Sequence, residues 1–271
     1  MGKFDGIYLV SDLDGTLLDN KSYSISDENI KAIKYFMSEG GFFGFATGRI
    51  VSELESFDAL VCTNAPSICY NGMKIYNFRT GEERIIDEHG EDILPFLEYA
   101  EKAYSNLMIQ IVANDTIYYY RPNFSLNKHK SISNAKFAEI SHYSLIPHPW
   151  LKIALWDDPD ATKHLANTVD KSLLPERYNF MYSFEYCCEI STKKGDKGTA
   201  LLEAKKLLSG IKAVVAIGDN ENDVLMLKNA DISFVPSNAV PAAKGVARKI
   251  LDCDCNHNAV ANAIIQLEKM L

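Results

Sequence analysis

Gly6-Ile7-Tyr8-Leu9-Val10-Ser11, running directly into Asp12-Leu13-Asp14-Gly15-Thr16, is the stretch that decides the fold. A short apolar run of this kind reads as a strand buried on both faces, which is what a parallel sheet requires. The run stops at residues rich in turn chemistry, so the strand delivers two carboxylates to its carboxyl end. If extended backbone persists past Ser11, Asp12 and Asp14 face one side while Leu13 points into the core. Gly15 lets the chain turn there.

The same pattern recurs along the chain. Ser26 or Asp27 caps a helix through Glu28 to Met37, Gly40-Gly41 ends it, and Phe42 to Ala46 forms a second apolar strand that stops at Thr47-Gly48-Arg49. Ser67 to Tyr70 stops at Asn71-Gly72, and Met73 to Tyr76 reads as the return arm of a hairpin. Farther on come a helix from Lys197 to Leu208, a strand from Ala213 to Ile217 and the polar end Gly218-Asp219-Asn220-Glu221-Asn222-Asp223. A helix through Val224 to Lys228, a strand from Ile232 to Val235 and a helix from Ala259 to Lys269 complete the series. Between about Gly81 and Cys188 the texture changes, with a helix near Glu91 to Tyr104 and strands near Met108 to Val112, Thr116 to Tyr120 and Leu151 to Trp156. The expectation is an α/β fold: a Rossmann-like, doubly wound parallel sheet formed by residues 1–80 and 189–271, with an α+β domain, residues 81–188, inserted into it.

Composition bounds the function. The 271 residues are 47% hydrophobic, enough for one large or two moderate cores. A formal net charge of -8, with no cluster of Lys and Arg, argues against nucleic acid as a partner. No leader or membrane-spanning run is visible, which points to a cytoplasmic protein without a membrane partner, monomer or homodimer. The six cysteines show no C-x-x-C pair and read as reduced thiols. Cys253, Cys255 and His257 would share a face on an extended segment, but zinc there would lack a fourth ligand.

Ligands of open parallel sheets bind beyond the carboxyl ends of the strands. Thr47 can offer a hydroxyl and Gly48 an amide to phosphate oxygens. Asp219 and Asp223 add carboxylates at another strand end, and hard oxygens beside a phosphate pocket make a natural magnesium site. Lys197 supplies a balancing charge. Each element alone has a plainer reading: a solvated Asp-x-Asp-Gly turn, a strand-to-helix turn at Thr47-Gly48-Arg49, an exposed lysine. Their conjunction, each at a strand end or loop of one scaffold, favours a site.

Taken together, Asp12-Leu13-Asp14-Gly15-Thr16, Thr47-Gly48-Arg49, Asn71-Gly72, Lys197-Gly198, Gly218 to Asp223 and Asn238-Ala239 resemble the motifs of the haloacid dehalogenase superfamily, in particular its Cof-type, cap-bearing phosphatases with a type IIB-like cap. The resemblance covers essentially the whole chain. It implies that Asp12 is a nucleophile forming an aspartyl-phosphate and that Asp14 protonates the leaving oxygen and then activates water. It further implies that Thr47 and Gly48 hold phosphoryl oxygens while Lys197 neutralises developing charge. Magnesium would be bound by the Asp12 carboxylate, the Asp14 backbone carbonyl and Asp219, with Asp223 supporting the metal or Lys197. Asn222 would donate to phosphate, and Arg49 and Asn71 would touch the substrate beyond it. The inserted domain, as a cap, would select the substrate, a small phosphorylated metabolite such as a sugar phosphate or phosphorylated cofactor.

Two departures stand out: Asn258-Ala259-Val260 where Asp-Gly-Val is common, beside the unusual Asp252-Cys253-Asp254-Cys255-Asn256-His257, and Met73 where a small residue is common. Two other functions compete. A phosphomutase would need a cap that grips the sugar in both orientations, and no dense basic cluster offers that. A non-catalytic binding module is poorly motivated when Asp12, Asp14, Lys197 and Asp219 are all present.

Overall fold

A computed structural model describes residues 2–132 and 135–271. The chain divides into two compact units, one comprising 1–49, 54–86 and 196–271 and the other 50–53 and 87–195.

The first unit is built on a five-stranded parallel sheet in the order Lys249–Ile250, Ile232–Val235, Ala213–Ile217, Ile7–Ser11, Phe42–Phe45. Ile7–Ser11 lies between Ala213–Ile217 and Phe42–Phe45 and is buried at every residue, which is why its sequence does not alternate. It pairs in register from Ile7↔Ala213 to Ser11↔Ile217 on one side and from Tyr8↔Phe42 to Ser11↔Phe45 on the other. The strands therefore end level, so the loops that follow Ser11, Phe45 and Ile217 open at one edge. On one face, Tyr8, Val10, Val214 and Ala216 pack against Ala200, Leu201 and Ala204 of helix Lys197–Lys206 and Met226 and Leu227 of helix Val224–Asn229. Helices Asp27–Ser38 and Ala259–Glu268 are tied together by Asn29, whose Oδ1 accepts from the Ala261 amide at 2.9 Å. Ser26 is the cap of the first of these, accepting from Asn29 N at 3.2 Å.

Ser67–Cys69, Lys74–Tyr76 and Glu83–Ile85 form a separate antiparallel sheet, joined to the parallel one by an Ala46↔Ile68 bridge. Asn71-Gly72 is not a two-residue hairpin turn. Tyr70, Asn71 and Gly72 are all left-handed, at φ 54°, 55° and 107°, and a Cβ on Gly72 would lie 2.2 Å from the Asp196 carbonyl. The turn is thus wedged against the start of helix Lys197–Lys206, a close approach open only to glycine.

The second unit is a six-stranded sheet in the order Tyr178–Phe184, Cys187–Thr192, Lys152–Trp156, Met108–Ala113, Thr116–Tyr120, Lys136–Ile140. All pairings are antiparallel except the last. Ile109, Ile111, Ile153, Leu155 and Ile190 bury one face against Phe96, Leu97 and Ala100 of helix Leu94–Ala103 and Leu165 of helix Pro159–Thr168. No described helix in either unit is long and apolar enough to cross a membrane.

Candidate active site

The carboxyl edge of the parallel sheet gathers the polar strand ends. Asp12 follows strand Ile7–Ser11 directly, its amide donating to Ile217 O at 2.8 Å. Beyond it the chain turns, and within Leu13–Leu17 Asp14 (φ -74°, ψ 115°) and Gly15 (φ 82°, ψ 0°) are not helical. The two carboxylates take different partners, Asp12 bonding Lys197 and Asp14 bonding Arg49. Leu13 is buried as expected. Gly15 is required because its backbone is left-handed and a Cβ there would stand 2.4 Å from Asp219 Oδ2.

Asp12 turns toward Asp219 and Asp223, and ligand oxygens of the three lie within 4.8 Å of one another. Lys197 enters this cluster with no solvent exposure, its Nζ 2.6 Å from Asp12 Oδ1 and 2.7 Å from Asp223 Oδ1. It is aimed by its position at the first turn of a helix whose cap, Asp196, accepts from Gly198 N at 2.8 Å and Thr199 N at 2.9 Å. Asp223 is fully committed: its other oxygen accepts from the amides of Asp219 and Asn220 at 2.9 and 3.0 Å. Thr16 Oγ1 donates to Asp219 Oδ1 at 3.0 Å.

Three buried carboxylates share one ammonium, so with all three ionised the cluster carries an excess of two negative charges. The electrostatics follow. Burial raises the Asp12 carboxyl well above its ordinary range, with Lys197 opposing. Asp219 is pushed up to about 6, first by burial and then by the Asp223 charge. Lys197 is held protonated by Asp12 and Asp223 against the cost of its burial. A cluster of hard oxygens with two uncompensated charges fits a divalent cation of the magnesium type.

Asp14 lies apart from this group. Its carboxylate accepts from Arg49 at both oxygens, Nε to Oδ2 at 2.9 Å and a terminal nitrogen to Oδ1 at 2.6 Å, and its side chain is half exposed. The Arg49 guanidinium also lies over the Phe57 ring at 5.3 Å. Thr47 is buried, its Oγ1 accepting from Arg49 N at 3.2 Å, and its carbonyl accepts from Asn71 N at 2.9 Å. Asn222 Nδ2 donates to Asn71 Oδ1 at 2.9 Å, so Gly48, Asn71 and Asn222 meet beside the cluster's strand ends.

Sequence reasoning assigned no individual role to Thr16 or Asp196, although Thr16 closes the quoted Asp-x-Asp-Gly-Thr run and Asp196 carries a capping signal one residue before Lys197. The Cys253–His257 segment is not extended. Cys255–His257 is a single 3₁₀ turn, and His257 Nδ1 lies 2.6 Å from Asp254 Oδ1. Among the described residues, Asp12, Asp219 and Asp223 are the group that gathers metal-ligating atoms.

A level row of strand ends carrying a nucleophile-type aspartate, a buried lysine and an acidic cluster is the arrangement of one large class of phosphoryl-transfer enzymes. The chain belongs to the haloacid dehalogenase-like hydrolases, whose family model matches residues 9–264, and it is a phosphatase of that family. It is similar to the Bacillus subtilis 5-amino-6-(5-phospho-D-ribitylamino)uracil phosphatase YcsE, 26% identical over 257 residues, with 93% of this chain and 92% of that protein covered. It is likewise 26% identical over 260 residues to the HMP-PP phosphatase of Klebsiella pneumoniae, with 93% and 92% covered. A crystal structure of a haloacid dehalogenase-like hydrolase from Bacteroides thetaiotaomicron superposes with a TM-score of 0.83 at 23% identity, covering 97% of this chain and 99% of that one.

Proposed function

We propose that the protein is a magnesium-dependent phosphatase of a small phosphorylated metabolite, a sugar phosphate or phosphorylated cofactor, working in the cytoplasm through an aspartyl-phosphate on Asp12. The buried cluster of Asp12, Asp219 and Asp223 around Lys197 carries this reading, because it joins a carboxylate at a strand end to a charge deficit that a divalent cation fills. The names of the two relatives, one phosphatase for a phosphorylated ribitylaminouracil and one for HMP-PP, support a metabolite-sized substrate.

In the first step an Asp12 carboxylate oxygen attacks phosphorus, the bond from phosphorus to the leaving oxygen breaks, and Asp14 gives that oxygen a proton. In the second, Asp14 takes a proton from water as the water oxygen attacks phosphorus and the Asp12 carboxylate leaves. Lys197 holds Asp12 in place and offsets charge as it develops on the phosphoryl oxygens. Asp12, Asp219 and the Asp14 carbonyl would hold magnesium, supported by Asp223, and the ion would supply charge neutralisation of the phosphoryl group. Thr47, Gly48 and Asn222 would donate to phosphoryl oxygens, with Asn71 orienting Asn222. Arg49 bonds both Asp14 oxygens, so a leaving group that reaches the acid comes beside the guanidinium, which supports Arg49 as a contact for the substrate beyond its phosphate.

Phosphate release from a panel of sugar phosphates, nucleotides and phosphorylated cofactors tests the proposal, with magnesium or with EDTA. Release that needs magnesium and falls on the order of a thousandfold or more in Asp12→Asn is expected for loss of a nucleophile. Release unaffected by either change would refute it.

A further inference from the structure

Asn238 and the Asp252–Asn258 segment remain without a role, yet they meet at the catalytic turn. Asn238 follows strand Ile232–Val235 and lies at the surface, but both ends of its amide are committed. Its Nδ2 donates to Gly15 O at 2.8 Å, and its Oδ1 accepts from Cys255 N at 2.9 Å. The amide can face only this way, since the Gly15 carbonyl can only accept and the Cys255 N–H can only donate. The bond reaches the one left-handed residue of the Asp12–Thr16 turn, whose Cα stands against the Asp219 carboxylate.

The same loop grips the neighbouring strand end, because Val240 N donates to Asp219 O at 2.8 Å. Behind it, Ser237 N donates to Cys253 O at 2.9 Å, Leu251 N to Val235 O at 2.8 Å and Asn20 N to Asn256 Oδ1 at 2.9 Å. The loop from Ser237 to Val240 therefore bonds main-chain atoms at both strand ends that supply Asp12 and Asp219, and the cysteine-containing segment anchors it.

We propose that Asn238 is a positioning residue for the phosphatase reaction: its amide clamps the Gly15 carbonyl and so fixes the Asp12–Thr16 turn against Asp219, with the Cys253–Asn256 segment as its fixed point. The segment's sequence then makes sense as a brace rather than a metal site. Its backbone supplies the contacts to Ser237 and Asn238, and Asn256 and Asn258 bind neighbouring loops, the latter accepting from Ser26 Oγ at 2.7 Å. The inference rests on the phosphatase reading for its kinetic consequence, though not for its structural one.

The test compares Asn238→Ala, Asn238→Asp and, as a control within the brace, Asn256→Ala. In the metal-free protein, amide hydrogen exchange of the peptide Leu13–Leu18 should quicken about 3- to 10-fold in both Asn238 variants, the size expected for one hydrogen bond, and stay unchanged in Asn256→Ala. Asn238→Asp is informative because it keeps the acceptor for Cys255 N and loses the donor to Gly15. In turnover, both Asn238 variants should lower kcat and raise the magnesium concentration for half-activation, each about 5- to 10-fold, with KM within about twofold. Unchanged exchange, equal quickening in Asn256→Ala, or an Asn238→Asp that behaves as the unaltered protein would overturn the proposal. If the unaltered protein hydrolyses no phosphate ester, the phosphatase reading fails, and the exchange experiment still decides whether Asn238 clamps the turn.

Discussion

Each unit holds a lysine ion pair, and the pairs are built differently. In the first unit Lys197 has no solvent exposure and bridges Asp12 and Asp223 beside a third carboxylate. In the second, Lys152 Nζ lies 2.9 Å from Glu189 Oε1, with the side chains 24% and 15% exposed, and the pair spans neighbouring strands of the sheet. The Lys152 pair is balanced and partly wet, whereas the Lys197 cluster is unbalanced and dry. An electrostatic deficit kept in the interior costs stability and marks chemistry, while a balanced pair marks packing.

Breaking the first pair should have the largest effect. Lys197→Met leaves Asp12 and Asp223 buried without a cation, a change that costs on the order of 3–5 kcal/mol. Urea denaturation in EDTA should show that loss, and magnesium should recover part of it by binding the folded state alone. Phosphate release should vanish. A variant as stable as the parent would mean that the cluster is not held ionised in the folded protein.

The matching change in the second unit should be milder. Lys152→Met strands a Glu189 that water can still reach, at a cost of about 1–2 kcal/mol, with kcat and KM within about twofold. A large rise in KM would show instead that the pair reads the substrate, and would move the boundary between chemistry and packing.

The smallest effect expected is a pH dependence in the second unit. His89 is 1% exposed, with Nδ1 3.0 Å from Trp150 O, Nε2 2.9 Å from Ile190 O and its ring stacked on Tyr178 at 5.5 Å. Charged Arg177 and Asp87 face it with opposite effects, and burial holds its pKa below the ordinary 6.5 although the two carbonyls pull upward. A lowered histidine pKa contributes stability that is present above pH 6.5 and is lost as pH falls through the folded value. Melting curves between pH 7 and pH 5 should therefore show a fall in stability that His89→Gln reduces. An unaltered slope in the variant would assign the dependence to other groups.

The contrast between the units also explains what the sequence revealed. Strands buried on both faces, such as Ile7–Ser11 and Ala213–Ile217, read as unbroken apolar runs, and their ends carry residue types that chemistry demands. Asp12, Asp219 and Asp223 were legible for that reason. The course of the chain beyond Asp12 was not, because a left-handed Gly15 is compatible with more than one. The Arg49 pairing with Asp14 was equally hidden, since it joins loops 35 residues apart.

In the second unit the sheet is mixed in direction, and strands such as Thr116–Tyr120 and Lys136–Ile140 interleave more and less buried residues without marking function. Thr116–Tyr120 is readable by its aromatic and β-branched content, but Lys136–Ile140, with a lysine and a glutamate among its five residues, carries little strand signal. Helix Pro159–Thr168 was missed, although its signal was present in a proline directly after the capping Asp158.

The central claim is that a phosphoryl group passes through Asp12, and the most direct measurement is to trap it there. Turnover of a phosphorylated substrate would be quenched in acid, the acyl-phosphate reduced with borohydride, and the peptide containing Asp12 analysed by mass spectrometry. The account predicts conversion of Asp12 to homoserine in the unaltered protein and none without substrate. Turnover that leaves Asp12 unmodified while phosphate is found on another side chain would contradict it.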